Sequence, residues 1–232
     1  MKEQNEDIVK IIRSLPEGEF VSKESLSYFK LYDGCHDFLL SKKLINKIWE
    51  WFEDNLLNYS VIGDRDIPAS VSVLHTNAGA GKLLERAPEN TTITAYNLDY
   101  VCKRICDFVC QERDEEGNYY SEMKDISNFF AVKNTNSSRK YGIVFTQPSS
   151  KMTYYKGVDC VDMVDAKDPL DYYTTRGLHF VDEDGFLVVI YEPSQESEMK
   201  RIVGGLEVKI EDKIVIKEQK YIAYEAMILR KV

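Results

Sequence analysis

The chain has 232 residues, of which 44% are apolar, 12% aromatic and 30% charged; 30 basic side chains against 39 acidic ones give a formal net charge of −9. An apolar share of that size is that of a globular protein, which excludes intrinsic disorder and a fibrous architecture, and the length suits one substantial domain with a small appendage. The acidic balance argues against a protein that coats nucleic acid through a general basic surface, while leaving room for a local basic cleft.

The opening MKEQNEDIVKIIRS is charged and lacks the apolar core of a secretory signal, and runs such as FLVVIY are too short to cross a bilayer. The five cysteines include no close pair, which points to reduced thiols. A cytoplasmic protein without membrane segments is therefore expected. Ile8, Ile11, Ile12 and Leu15 keep the spacing of one buried helical face, which Pro16 and Gly18 end. A second helix places Leu40, Leu44, Ile48 and Phe52 on one face, flanked by Trp49 and Trp51. Residues 1–65 read as a helical cap, and residues 66–232 as an α/β domain.

Past Ser70 the pattern changes to short apolar strands alternating with helices. A strand over 71–74 runs into the loop Asn77-Ala-Gly-Ala-Gly81, and residues 82–87 look helical as far as Pro88. Strands are expected over 91–96, 119–123, 141–145 and 185–191, with helices over 98–110 and 168–181. The run over 185–191 is nearly all apolar, so it is buried on both faces. Two β-branched runs over 206–216 and 221–229 lack a helix-length spacer and predict an antiparallel hairpin at the sheet edge. The fold class that follows is α/β, a doubly wound, mostly parallel sheet of Rossmann-like type.

Strand, glycine loop, helix is the most informative segment, because in doubly wound sheets a ligand binds at the carboxyl ends of the strands. A phosphate P-loop is excluded: Thr76 stands where its first glycine belongs, and Leu83 where Ser or Thr follows the lysine. Leu84 likewise replaces the last glycine of a dinucleotide loop, leaving a short Gly79-Ala80-Gly81 element that is either a tight turn or a ligand cradle. Cys102, Cys106 and Cys110, spaced i, i+4, i+8, read as a buried helical stripe, since nothing nearby completes a metal set and no metal is expected. His36, His75 and His179 are scattered without a neighbouring nucleophile; His75 stands at a strand terminus that points to the ligand side. Acidic residues recur at Asp159, Asp162, Asp165, Asp168 and Asp171, a pattern read as a solvated face.

The segment VLHTNAGAGKLL over 73–84 resembles motif I of the class I S-adenosylmethionine-dependent methyltransferases, and most resembles the enzymes that modify N6 of adenine in DNA. TAYNLD over 94–99 is similar to the family's ribose-binding strand end, and Met123-Lys-Asp125 to its adenine-side segment. YGIVFTQPSS over 141–150 resembles the fourth strand with its Asn-Pro-Pro-aromatic loop, and residues 176–190 resemble the helix, turn and fifth strand beyond it. The resemblance covers residues 70–232 in matching order. It implies S-adenosylmethionine as cofactor, held by His75, Asn77, Gly79, Gly81, Asn97 and Asp125, with Gln147 and Pro148 as the catalytic pair that orients a target amine. The implied partner is DNA or, for an inactive binding or regulatory subunit, another protein. Three departures bear on activity. His75 replaces the family's Asp, and Asn97 its ribose-binding acid, with Asp99 two residues on. Gln147-Pro148-Ser149-Ser150 replaces Asn-Pro-Pro-aromatic, so the implied catalysis is reduced or lost and ring stacking on an extruded base would fall to Phe145, Tyr154 or Tyr155.

Overall fold

The structure is a computed structural model and describes residues 40–57, 71–97, 100–123, 139–148, 169–216 and 224–232. The helix expected over residues 8–15 and the domain boundary at 65/66 lie outside the described residues.

Helix α1 (Lys42–Phe52) begins where Ser41 accepts a hydrogen bond from the Leu44 amide at 3.2 Å, a serine N-cap, and it continues into a π-helical turn over Glu53–Leu57. Its apolar stripe buries Leu44, Ile45, Ile48, Trp49 and Phe52. Seven strands follow: β1 (Val71–His75), β2 (Thr91–Asn97), β3 (Tyr119–Met123), β4 (Tyr141–Thr146), β5 (Val181–Tyr191), β6 (Val208–Val215) and β7 (Glu225–Lys231). Between them lie α2 (Tyr100–Val109), α3 (Gln111–Glu115), α4 (Pro169–Phe180) and α5 (Glu196–Val203).

The strands form one sheet in the order β3-β2-β1-β4-β5-β7-β6. All pairs from β3 to β5 are parallel, and β7 runs antiparallel to both β5 and β6, as the missing helix between the last two strands predicts. The doubly wound, mostly parallel α/β fold is thus the observed one.

Strand side chains alternate between two cores, as a period of two requires. Val73, Ile93, Ala95, Phe145, Val188, Ile190 and Ile228 face α1 and the Cys106–Cys110 side of α2. Leu74, Tyr96, Val144, Leu187, Val189, Tyr191 and Met227 face α4 and α5. Cys102, Cys106 and Cys110 are all buried, so the stripe is part of the core. Asp107, one residue past Cys106, is occupied within the fold: it accepts the hydroxyls of Ser121 at 2.5 Å and Tyr119 at 3.1 Å and pairs with Lys103 at 2.8 Å, which fastens α2 to edge strand β3.

Two expectations need correction. Residues 82–87 do not form a helix; a single 3-10 turn, Leu84–Arg86, is all that follows the glycine loop. Leu83, Leu84 and Ala87 are buried there, and Trp49 Nε1 donates to the Leu83 carbonyl at 2.9 Å, so tertiary packing consumes a segment too short to nucleate a helix of its own. Strand β5 starts at Val181 rather than at 185. Asp184 adopts a positive φ of 61°, and the register on β4 shifts between Tyr141 and Ile143, a bulge that lets the strand begin directly at the end of α4.

Among the described residues, no helix is long and apolar enough to cross a membrane, and no three His, Cys, Asp or Glu side chains are grouped to hold a metal ion.

Candidate functional site

The strand order reverses between β1 and β4: from β1 the chain builds outward through β2 and β3, and from β4 outward through β5. That reversal opens a crevice at the carboxyl ends of the strands, the usual ligand position in open α/β sheets. The loop after β1 is pinned to both neighbours of its strand. The Thr76 amide donates to the Phe145 carbonyl on the β4 side at 3.0 Å, and the Ala78 amide to the Tyr96 carbonyl on the β2 side at 2.8 Å.

Gly79 and Gly81 both take positive φ, 57° and 78°. At Gly81 the requirement is double, because a Cβ there would lie 2.9 Å from Cys106 Sγ on α2. Gly81 therefore lets the loop turn and lie flat on a helix, a packing role that spacing alone does not distinguish from ligand contact.

Asn77 takes part in a two-bond pair with one residue of β4's exit. Its Nδ2 donates to the Gln147 carbonyl at 2.5 Å, and its Oδ1 accepts the Gln147 amide at 2.9 Å. The Thr76 hydroxyl adds a third bond to Asn77 Oδ1 at 3.3 Å. Asn97, the last residue of β2, and Gln147, the first after β4, are 1% and 0% exposed. Neither side-chain carboxamide has a hydrogen-bond partner among the described residues. His75 is fully buried with its ring edge-on to Phe145 at 6.1 Å, and Pro148 is buried beside Gln147.

Seven of the eight residues singled out in the sequence thus stand at the carboxyl ends of β1, β2 and β4: His75, Asn77, Gly79, Gly81, Asn97, Gln147 and Pro148. Asp125 lies outside the described residues, as do Asp99, Ser149, Ser150, Tyr154, Tyr155 and the acidic run apart from Asp171. Asp171 accepts the Thr175 hydroxyl at 3.1 Å. Phe145, one of the rings considered for stacking, is instead a core residue against Trp49 and Phe52.

Two further polar groups at strand ends were not picked out by motif. The Thr146 hydroxyl closes β4, and Tyr191 closes β5; both are fully buried. The signal available for them was position alone, as terminal residues of parallel strands. Burial pushes the Tyr191 phenol up to about 12, so it stays neutral. Nearby, Lys213 lies 2.7 Å from Glu225 and 2.8 Å from Glu196, which ties β6, β7 and the start of α5 together at the same end of the sheet.

No family model and no curated sequence matches the chain. Solved structures do. A protein of Pyrococcus horikoshii assigned as an RNA methyltransferase superposes with a TM-score of 0.55 at 11% identity, over 100% of both chains. A protein of Clostridium thermocellum assigned as an rRNA methylase gives 0.55 at 8% identity, over 84% of this chain and 100% of that one. The fibrillarin pre-rRNA processing protein of Methanococcus jannaschii gives 0.52 at 12% identity, over 75% and 72%. At such identities the likeness is one of fold, and the fold is that of the class I methyltransferases.

Proposed function

We propose that the protein is an S-adenosylmethionine-dependent methyltransferase whose acceptor is an amine nitrogen of a nucleic-acid base. The observation that carries the reading is the pair of buried carboxamides, Asn97 and Gln147, that flank β1 at the switch point without partners among the described residues. A buried polar group left unpaired costs about 1–3 kcal/mol, so two whole carboxamides at one crevice call for a ligand rich in donors and acceptors. An adenosyl group fits. A ribose diol donates and accepts, and a carboxamide can meet both needs through Oδ1 and Nδ2. When bound, S-adenosylmethionine supplies a methyl group activated by its sulfonium.

The chain's own residues supply orientation. Gln147 offers an acceptor oxygen that would hold the proton-bearing side of an amine, with Pro148 stiffening the loop behind it. The lone pair of the nitrogen is then aligned for direct attack, a gain that comes from geometry rather than from proton transfer. The resemblance of residues 141–150 supports an exocyclic amine such as adenine N6, and the RNA and rRNA assignments of the structural neighbours support a nucleic-acid substrate. A second reading, a catalytically silent binding subunit, is favoured by one observation. Asn77 bridges the crevice, and Gln147 is fully enclosed behind it.

Calorimetry with S-adenosylmethionine and with its demethylated product is the direct test. Binding of both below millimolar concentration is expected, and no binding at millimolar ligand overturns the reading. Labelled-methyl transfer to RNA and DNA, lost in Gln147→Ala with cofactor binding kept, identifies the enzyme. Cofactor binding without transfer from the wild-type protein identifies the silent subunit.

A further inference from the structure

We propose that Asn77 is a positioning residue, one that fixes the main chain of Gln147 across the switch-point crevice rather than contacting the cofactor. The inference rests on the methyltransferase reading only for what the Gln147 side chain faces; the tie itself is a property of the two loops.

The register makes the case. The β1–β4 ladder ends at His75↔Phe145, with one further bond from the Thr76 amide to Phe145. Two residues on along both chains, Asn77 stands opposite Gln147, where the loops part and backbone pairing stops. A carboxamide has the donor and acceptor of a peptide unit on one rigid plane, so a single Asn can replace a missing ladder rung. Here it does so with Nδ2 on the Gln147 carbonyl at 2.5 Å and Oδ1 on the Gln147 amide at 2.9 Å. No other residue type of this length serves both: Asp cannot donate, and Ser and Thr offer one atom.

The result is a residue whose two backbone groups are both taken while both polar atoms of its side chain are unpartnered among the described residues. Gln147 is thus anchored by its main chain and presents its carboxamide with little freedom. That is what a group orienting a small amine requires, since loose placement of a fraction of an ångström forfeits the benefit. The extra methylene of a glutamine, which would ordinarily add a rotatable bond, is offset by an anchor at its root. The same arrangement commits the Asn77 side chain: the atoms that would meet the cofactor are engaged with Gln147.

The test uses isotope-labelled full-length protein, with Asn77→Ala and the near-isosteric Asn77→Asp, read by nuclear magnetic resonance and calorimetry. Asn77→Ala is expected to raise the exchange rate of the Gln147 backbone amide by about tenfold, the equilibrium equivalent of one net hydrogen bond. It should also collapse the Gln147 side-chain amide signals towards averaged positions, while affinity for S-adenosylmethionine stays at the wild-type value. Asn77→Asp, which still accepts the Gln147 amide, keeps that proton protected but loses the fixed side-chain signals. Unchanged Gln147 exchange and side-chain signals in both variants overturn the proposal, as does lost cofactor affinity with Gln147 protection intact. If wild-type protein binds no S-adenosylmethionine, the functional reading falls while the exchange data still decide the role of Asn77.

Discussion

At the scale of single residues, the glycine loop shows how much a type and a spacing can reveal. That 79 and 81 are glycines announces a turn with positive φ, and the structure supplies two different reasons for them. The difference can be measured against Gly117, which also has a positive φ, 73°, but open space where a Cβ would go. Gly117→Ala should cost about 1 kcal/mol, the left-handed backbone penalty alone. Gly81→Ala should cost about 3 kcal/mol, because the contact with Cys106 Sγ adds crowding in a packed interior. In a Cys106→Ala background the Gly81→Ala cost should drop to the Gly117 value; urea titration of the four variants reads this directly. Equal costs at 81 and 117 would show that the helix yields to the added methyl. The partner of Asn77, by contrast, was illegible in the sequence. It lies 70 residues away, and only the β1–β4 register brings it opposite.

Elements were legible where a helical period or an unbroken apolar run was long enough to declare itself, and failed where packing overrode it. Helix α1, with its stripe from Leu44 to Phe52, and the apolar β5 are of the first kind. Residues 82–87 are of the second: their composition allows a helix, yet Leu83, Leu84 and Ala87 are drawn into the core and only one 3-10 turn survives. That turn hangs on α1 through the buried bond from Trp49 Nε1 to the Leu83 carbonyl, with the Trp49 ring edge-on to Phe145 at 5.1 Å. Trp49→Phe keeps most of the apolar contact and removes the indole N–H that reaches from α1 to the Leu83 carbonyl, leaving that carbonyl only its bond within the 3-10 turn. A loss of about 1 kcal/mol is expected, seen as a lower urea midpoint with an unchanged slope. Trp51→Phe is the comparison, since Trp51 is only half-buried and packs on Phe186 through its ring alone at 5.5 Å. It should cost less than Trp49→Phe. A reversed order would mean that the glycine segment does not depend on its bond to α1.

For the molecule as a whole, alternation of strands and helices foretold a parallel sheet, but not the strand order, which local pattern does not encode. The acidic balance foretold little of how charge serves the fold, because the groups that matter are a few partly buried ones. His179, near the end of α4, has its imidazole held below the ordinary 6.5 by burial, reinforced by the positive charges of Arg176, Lys140 and Lys231. The unfolded chain takes up that proton more readily, so stability falls as pH drops through about 6.5. Glu196 is held below 4.5 by hydrogen bonds from Lys213 and Lys200, and its contribution, full above that value, is lost in more acid solution. On the alkaline side, burial raises Tyr191 from 10.0 to about 12, so its contribution is complete below 10.0 and disappears as pH climbs past it. Burial alone would lower Lys213, but Glu196 and Glu225 outweigh it and hold the ammonium above its ordinary 10.5, again a contribution lost at high pH. Together these place a plateau of stability between about pH 7 and pH 10, with His179 contributing to the first decline on the acid side. Urea midpoints measured from pH 4 to 11 should trace that plateau, and His179→Gln should make the segment between about pH 7 and pH 5 shallower while leaving the limb at lower pH in place. An unchanged slope in that segment would assign the first acid decline to groups other than His179.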